Sequence, residues 1–505
     1  MSTKSHLASI QHAQTPSAVT PDVPDDLDDL EQKNDSTLST PPDPFEEEFG
    51  HLITVDGDKV KLNQPAIAAK FARDMNVRYS EDNSQFHAFD SDEGFWKKIA
   101  RKVAMWMVTA FLKTLADTMK VPELLLKRTP ALMNGILQFV EGHALMGAPP
   151  PPSAKLVPVA NGVLDLSGPK PALREYRMED FFKGKHTHPY VPGAKCERFL
   201  NELLRPALPD PADVKFLQRD FGRQLVDGND AQTITLLVGQ PGSGKTILMS
   251  SMEKMLIPER FGYLRPDQLT GRFETYSLRG KSILVGKDVK TDYLDNDGAP
   301  MLKSLTGADR IESEKKYGGK FSMRGEFYVT ITANSKPLIK IQGDAKAWRR
   351  RVRYIDFSRE IPAHIIPKFD EVLIREEGVG ILSWLVDGYM AHQEELREHG
   401  TLTLTEAHQK RVDDWLMESE GVNAFVRAHI VKKPGNVTVQ EIWQAYTKFA
   451  SARGWHIPSQ QKFFTKLPEV MLELFGVERD NHITRDKAAV RGFNGVKFIG
   501  EDEVA

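Results

Sequence analysis

The stretch "TLLVGQPGSGKTIL", residues 235–248, decides the fold. An apolar run ends at Gly239, the chain turns through Gln240, Pro241, Gly242, Ser243 and Gly244, and Lys245-Thr246 opens a second apolar segment. The spacing fits G-x-x-x-x-G-K-[ST] as Gly239, Gly244, Lys245 and Thr246. The chemistry of a bound phosphate explains it. Phosphate oxygens are satisfied by successive backbone N–H groups, so side chains must stay clear, and glycine permits the close approach. Lys245 then supplies a positive charge to the outer phosphates, and Thr246 offers a hydroxyl to Mg2+. "TITLLVG" before the turn reads as a buried strand and "TILMSSMEKML" after it as a helix. The strand-loop-helix context is what distinguishes a phosphate loop from an ordinary glycine turn. No N-K-x-D pattern for guanine accompanies it, so ATP with Mg2+ is the expected cofactor.

Later segments supply further parts of such a site. In "KSILVGKDVKTD" an apolar strand ends at Lys287-Asp288, and a carboxylate at a strand end beside the phosphate loop would hold Mg2+. In "EFYVTITANSKP" another apolar strand stops at Asn334, whose amide could orient an attacking water. "DAKAWRRRVRYIDF" carries Arg349, Arg350, Arg351 and Arg353 ahead of a strand ending at Phe357. An arginine there can stabilise charge on a transferring phosphoryl group, or form a basic surface. Between them, residues 301–325 read as a hairpin with Lys315, Lys316, Tyr317 and Lys320 at and near its tip. Lysines meet phosphates and an aromatic ring stacks on a base, so this pattern suits a nucleic-acid strand as well as a solvated hairpin.

The rest of the chain bounds these readings. Its 505 residues should form several domains of about 100 to 200 residues each. A net charge of -3 does not mark a nucleic-acid binder, so local charge must be read instead. A single cysteine, Cys196, excludes an internal disulfide framework and fits a reducing compartment. The amino terminus lacks the apolar core of a signal peptide, and "VAMWMVTAFL" is too short to span a bilayer. A soluble, cytoplasmic protein without a membrane partner is expected. Residues 1–48 read as a disordered acidic tail. Residues 50–195 read as a mainly helical domain, with Phe95, Ile99, Val103, Met107, Phe111 and Leu115 on one helical face and a Pro-rich linker at 147–155. Asn161-Gly162 marks a turn after a short strand. The motor spans 196–360 and a helical lid or connector 361–404.

Residues 405–505 read as a winged-helix-like domain. Two helices are joined by a Gly-Trp-His-Ile-Pro-Ser turn, with Ser459 capping the second, and two strands follow around Arg491-Gly492. Lys462 and Lys466 share one helical face, and Arg485, Lys487 and Arg491 lie on the expected wing. DNA contact or protein docking would each use such a module.

The order of these segments resembles superfamily III helicases, in particular the phage and plasmid primase-helicase group that includes the poxvirus primase-helicase. The matching pieces are "LLVGQPGSGKT", "GKSILVGKDV", "LKSLTGADRIESEKKYGGKF", "ITANSKP" and "WRRRVRYIDF", with "VANGVLDL" and "RGFNGVKF" outside the motor. The resemblance implies an α/β fold with an AAA+-type ATPase core, assembled as a homo-oligomeric ring, usually a hexamer. Such a ring translocates on single-stranded DNA and unwinds forks. It implies nucleotide and Mg2+ binding by Lys245 and Thr246, an acidic strand end at Asp288, a sensor at Asn334 and a finger at Arg350 or Arg351. Lys315 and Lys316 fall on the DNA-contacting hairpin. The group often has an acidic pair where this chain has Lys287-Asp288, which leaves the general base open. No primase domain is expected, so a separate primase, origin-binding protein or polymerase is a candidate partner. The alternatives are an ATP-driven loader that never unwinds and an origin-binding protein that uses ATP only to assemble.

Overall fold

The computed structural model describes residues 44–56, 59–81, 84–147, 154–264, 275–290, 298–314, 320–339, 345–358, 366–400, 402–485 and 488–499. The acidic tail up to residue 43, most of the Pro-rich linker and the hairpin tip bearing Lys315, Lys316 and Tyr317 lie outside these residues, as does Lys487.

At the centre is a parallel sheet of five strands: β1 (Ile234–Gly239), β2 (Phe261–Tyr263), β3 (Ile283–Val289), β4 (Tyr328–Ala333) and β5 (Val352–Phe357). Their spatial order is β2-β3-β4-β1-β5. The inner strands are apolar along nearly their whole length because both faces of the sheet are covered. Side chains alternate between the faces as the pleat requires. Leu237, Val285 and Ile355 join one core with the helix Lys245–Met255, the helix Pro211–Gly222 and the 31-residue helix Phe369–His399. Leu236, Leu284 and Tyr354 point the other way, into a core with the helices Gly298–Thr306, Ala345–Arg351 and Glu406–Ser419. The long helix occupies the region read as a lid. It is a packed core element whose Gly388 backs directly onto the Gln218 carbonyl, where an added Cβ would sit 2.0 Å from that oxygen.

The amino-terminal region corrects the reading of a mainly helical domain. A three-stranded antiparallel sheet (Val77–Ser80, Gln85–Asp90, Phe95–Ile99) packs with the helices Gln64–Asp74, Arg101–Met119 and Pro130–His143 around a separate core. Phe95 and Ile99, read as one helical face with Phe111, belong to a strand. The helix starts only at Arg101, and it buries Ala104, Val108, Leu112 and Leu115 while leaving Val103 exposed. A four-residue repeat cannot by itself separate a strand feeding a helix from one longer helix. Here Gly94, at φ +75°, turns the chain into the strand, and Trp96 anchors it by donating from Nε1 to the Met178 carbonyl at 3.0 Å. The end of the acidic tail is also ordered: Pro44–Phe49 is helical, with Phe45 buried beneath the Arg73 guanidinium. The Asn161-Gly162 hairpin forms as read, but its Val157 and Leu164 pack into the core of the central sheet.

At the carboxyl end, the helices Gly421–His429, Val439–Ala452 and Gln460–Phe475 surround a further core, with a three-stranded antiparallel sheet of Asn436–Thr438, Ala488–Asn494 and Arg479–Arg485. Ser459 caps the last helix by accepting from the Lys462 amide, and Lys462 and Lys466 are exposed on it. The long strands are Arg479–Arg485 and Ala488–Asn494, so Arg491 lies within a strand, not in a turn as read. The ladder register sets this, since Arg485 pairs with Ala488.

The helix Glu406–Ser419 packs against the sheet rather than with this carboxyl-terminal core. Its Trp415 is fully buried and donates from Nε1 to the Pro337 carbonyl at 2.6 Å. Trp415→Ala is therefore expected to destabilise the fold by about 3–5 kcal/mol. Denaturant unfolding followed by circular dichroism measures it, and a loss below about 1 kcal/mol would mean that the helix is dispensable to the sheet.

Candidate active site

Parallel strands bring their carboxyl ends to one edge, where open α/β sheets bind ligands. The register fixes which residues meet there. Val238 pairs with Ala333, and Ala333 with Val289, so the loop after Gly239, Asn334 after β4 and Asp288 near the end of β3 reach the same level. β4 lies between β1 and β3, which puts Asn334 between the glycine turn and the carboxylate.

The loop itself is shaped for close approach. Gly242 and Gly244 have φ of +81° and +102°, in the left-handed region that glycine adopts without strain. Gln240, Pro241 and Gly242 are exposed, whereas Ser243, Gly244 and Lys245 are buried. The Lys245 ammonium turns back into the loop. It donates to the carbonyls of Gly239 and Gln240, the latter at 3.0 Å, and to the Ser243 hydroxyl at 3.1 Å. Burial lowers its pKa from the ordinary lysine value, and the negative charge of Asp288 opposes that shift. The Thr246 side chain is exposed at the first turn of the helix. A cradle of amides with a buried cation, an exposed hydroxyl and a facing carboxylate fits a nucleotide phosphate with its Mg2+.

Asp288 is held by a local irregularity. The β3–β4 ladder shifts register between Gly286 and Val289, and such a bulge redirects the extra side chain. Asp288 takes φ +48°, a conformation that aspartate tolerates better than most residues, and its N–H donates to the Thr332 hydroxyl at 2.9 Å. The sequence reading missed Thr332. The signal was its position two residues before Asn334, on the same face of the strand. Lys287, which stands where the resembled group often has an acid, pairs with Glu253 of the phosphate-loop helix at 2.7 Å and lies 5.3 Å from the Tyr263 ring centroid. That lysine is thus a brace between two elements of the site.

The arginine run divides by environment. Arg349 makes two hydrogen bonds to Asp413, at 2.7 and 2.8 Å. Arg353 is buried and donates to the carbonyls of Arg350 and Val352 at 2.8 and 3.0 Å, and burial lowers its pKa to about 10. Arg351 is half-buried against the Ala347 carbonyl. Arg350 is exposed, and its guanidinium has no partner among the described residues. All of them precede or begin β5. Val352 pairs with Ile234 and Phe357 with Gly239, so Arg350 and Arg351 sit at the sheet edge opposite the phosphate loop. The hairpin of Arg310–Glu314 and Lys320–Arg324 forms antiparallel, as read.

The loop after Asn334 is bound to the helix Glu406–Ser419. The Pro337 carbonyl accepts from Trp415, the Ile339 N–H donates to the Ser419 hydroxyl at 3.3 Å, and Lys336 pairs with Glu418 at 3.4 Å. Glu418 also accepts the His456 amide of the carboxyl-terminal core at 3.0 Å. At its other end the helix is pinned where buried His408 and Asp213 meet at 2.6 Å. None of these contacts had a motif to announce it.

A profile of a family of unknown function (DUF5906) matches residues 237–351. No curated protein matches the sequence significantly. Among solved structures, the chain is similar to the A form apo structure of the NrS-1 C-terminal region, at 11% identity and a TM-score of 0.45, covering 85% of this chain and 98% of that one. A second apo structure of that region, residues 305–718, gives 10% identity and a TM-score of 0.43, covering 87% and 100%. Among the described residues, no helix is long and apolar enough to cross a membrane.

Proposed function

We propose that this chain is an ATP-dependent DNA helicase of the superfamily III type, with an AAA+-type motor that works as a homo-oligomeric ring on single-stranded and forked DNA. The observation that carries this reading is the shared sheet edge where the phosphate loop, Asp288 and Asn334 meet in register while the arginine run stands at the opposite edge. Arginines on the far side of the sheet favour a reading in which a neighbouring subunit supplies the charge that completes the site. Bound ATP and Mg2+ supply the transferable phosphoryl group and its counter-charge. The chain's own residues position them: the loop amides and Lys245 grip the outer phosphates, Thr246 and Asp288 hold the metal, and Asn334 orients water. The carboxyl-terminal order of helix, strand, two helices and two-stranded arm supports a winged helix.

Single-stranded DNA should stimulate ATP turnover, and a forked duplex should be unwound in a strand-displacement assay. Turnover indifferent to DNA, or stimulated turnover without displacement, would turn the reading towards an assembly factor or a loader. The double variant Lys315→Ala with Lys316→Ala is expected to weaken binding to single strands. It should also shallow the log-log salt slope by about 0.7 for each lost phosphate contact. An unchanged slope in a titration from low to high salt would remove these lysines from the DNA path.

A further inference from the structure

In the carboxyl-terminal unit, a cleft of about 750 Å³ opens between one face of the helix Gln460–Phe475 and the two long strands. It is an open groove on the surface rather than an enclosed pocket. Its chemistry is specific. Phe464 lines it, half-buried and braced edge-on by Trp443 at 6.2 Å between centroids. Pro468, one turn further along the helix, has no N–H to give, so the Phe464 carbonyl beside the cleft lacks its usual helical donor. From the strands come Arg479 and Arg491, both exposed, with neither guanidinium partnered among the described residues. The third arginine of the sheet, Arg485, is committed to Glu441 and Asn436. The ladder is irregular between Asp480 and Ile483, and this bulge carries Asn481, which also lines the cleft. Two acids lie close: exposed Glu478 also lines the cleft beside Arg479, and Asp480 is occupied with the His482 amide and the Asn494 side chain.

An aromatic face, two unpartnered guanidinium groups, an amide and a freed carbonyl are what a nucleotide with an unpaired base requires. The ring stacks on the base, the arginines hold its phosphate, and the amide and carbonyl meet the exposed base edge. A base inside a duplex cannot enter such a cleft without leaving its stack. We infer that this cleft takes one unpaired nucleotide of single-stranded DNA, base against Phe464 and phosphate on Arg479 and Arg491, so that the unit recognises unpaired strands at a fork rather than duplex. The inference rests on the proposed action on DNA and adds a single-strand site apart from the Lys315–Lys316 hairpin.

The test uses the full chain and two fluorescent probes, a 20-nucleotide oligo-dT and a blunt duplex of the same length, followed by anisotropy. Phe464→Leu keeps the apolar bulk without the aromatic face. It is expected to weaken oligo-dT binding roughly 5- to 100-fold with an unchanged salt slope. Arg479→Gln with Arg491→Gln is expected to shallow that slope by about 0.7, the worth of the one phosphate they hold. Duplex binding should change little in either variant. Equal losses on both probes would make this face a duplex reader and overturn the inference, as would no loss on either probe. If oligo-dT binding falls with Lys315→Ala and Lys316→Ala but not with the cleft variants, the cleft alone fails. If the unaltered protein binds neither probe, the proposed function fails with it. Thermal unfolding of each variant shows whether the fold is kept.

Discussion

Lys245→Ala is expected to reduce ATP turnover by at least 10^2- to 10^3-fold, the scale of losing one preorganised charge at a phosphoryl-transfer site. The side chain does two things at once. Its ammonium is the buried cation nearest the loop amides, and its bonds to the Gly239 and Gln240 carbonyls and to Ser243 draw the loop around it. Alanine removes the charge and the internal tie together, so nucleotide affinity should fall along with turnover. Phosphate release and nucleotide binding, measured on a variant whose circular dichroism matches the parent, separate the two losses. Hydrolysis at the parental rate would show that the glycine turn is only a turn.

Loss of the finger is expected to cost turnover on the order of 10^3-fold with little change in nucleotide affinity. Arg350 is the better placed of the two candidates, being exposed where Arg351 is half-buried. Geometry makes the experiment decisive. From Val352 to Phe357 the strand's six residues span about 16 Å, and the arginines lie beyond its far end. No arginine at that edge reaches the phosphate loop of its own chain, so any finger acts on a neighbour. An Arg350→Ala subunit keeps its phosphate loop, and a Lys245→Ala subunit keeps its arginines. Co-assembled, the two inactive variants should recover part of the ATPase activity, because some interfaces pair an intact loop with an intact finger. No recovery, with co-assembly established by mass, would sink the shared site. Recovery with Arg351→Ala but not with Arg350→Ala would reassign the finger.

What could be read from the sequence follows from what local chemistry encodes. The strand, glycine turn and helix around Gly239–Thr246 were legible because glycine spacing, a buried strand before the turn and a helix after it are all local. The ends of β3 and β4 were legible because apolar runs stop where the core stops. The convergence of Asp288 and Asn334 depends instead on spatial strand order, and no motif records that order. The bulge that turns Asp288 was hidden, since it comes from ladder register with a distant strand. Phe95–Ile99 was misread because its repeat suits a helix and its partners lie elsewhere in the chain. The wing was misread because Arg491-Gly492 looks like a turn, whereas both residues lie inside the strand Ala488–Asn494.

The helix Glu406–Ser419 has a mechanical meaning. It behaves as a lever with its fulcrum at the buried His408–Asp213 contact. Its free end, ten residues on and about 15 Å away, rests on the loop that follows Asn334. A displacement of roughly 1 Å at that loop turns such a lever by about 4°. There is no slack beyond it: Glu420 is at once the last cap of this helix and the first cap of the next, and Glu418 already holds the His456 amide. A rearrangement of the strand end at Asn334 is therefore expected to reach the carboxyl-terminal unit through this one helix, as torque.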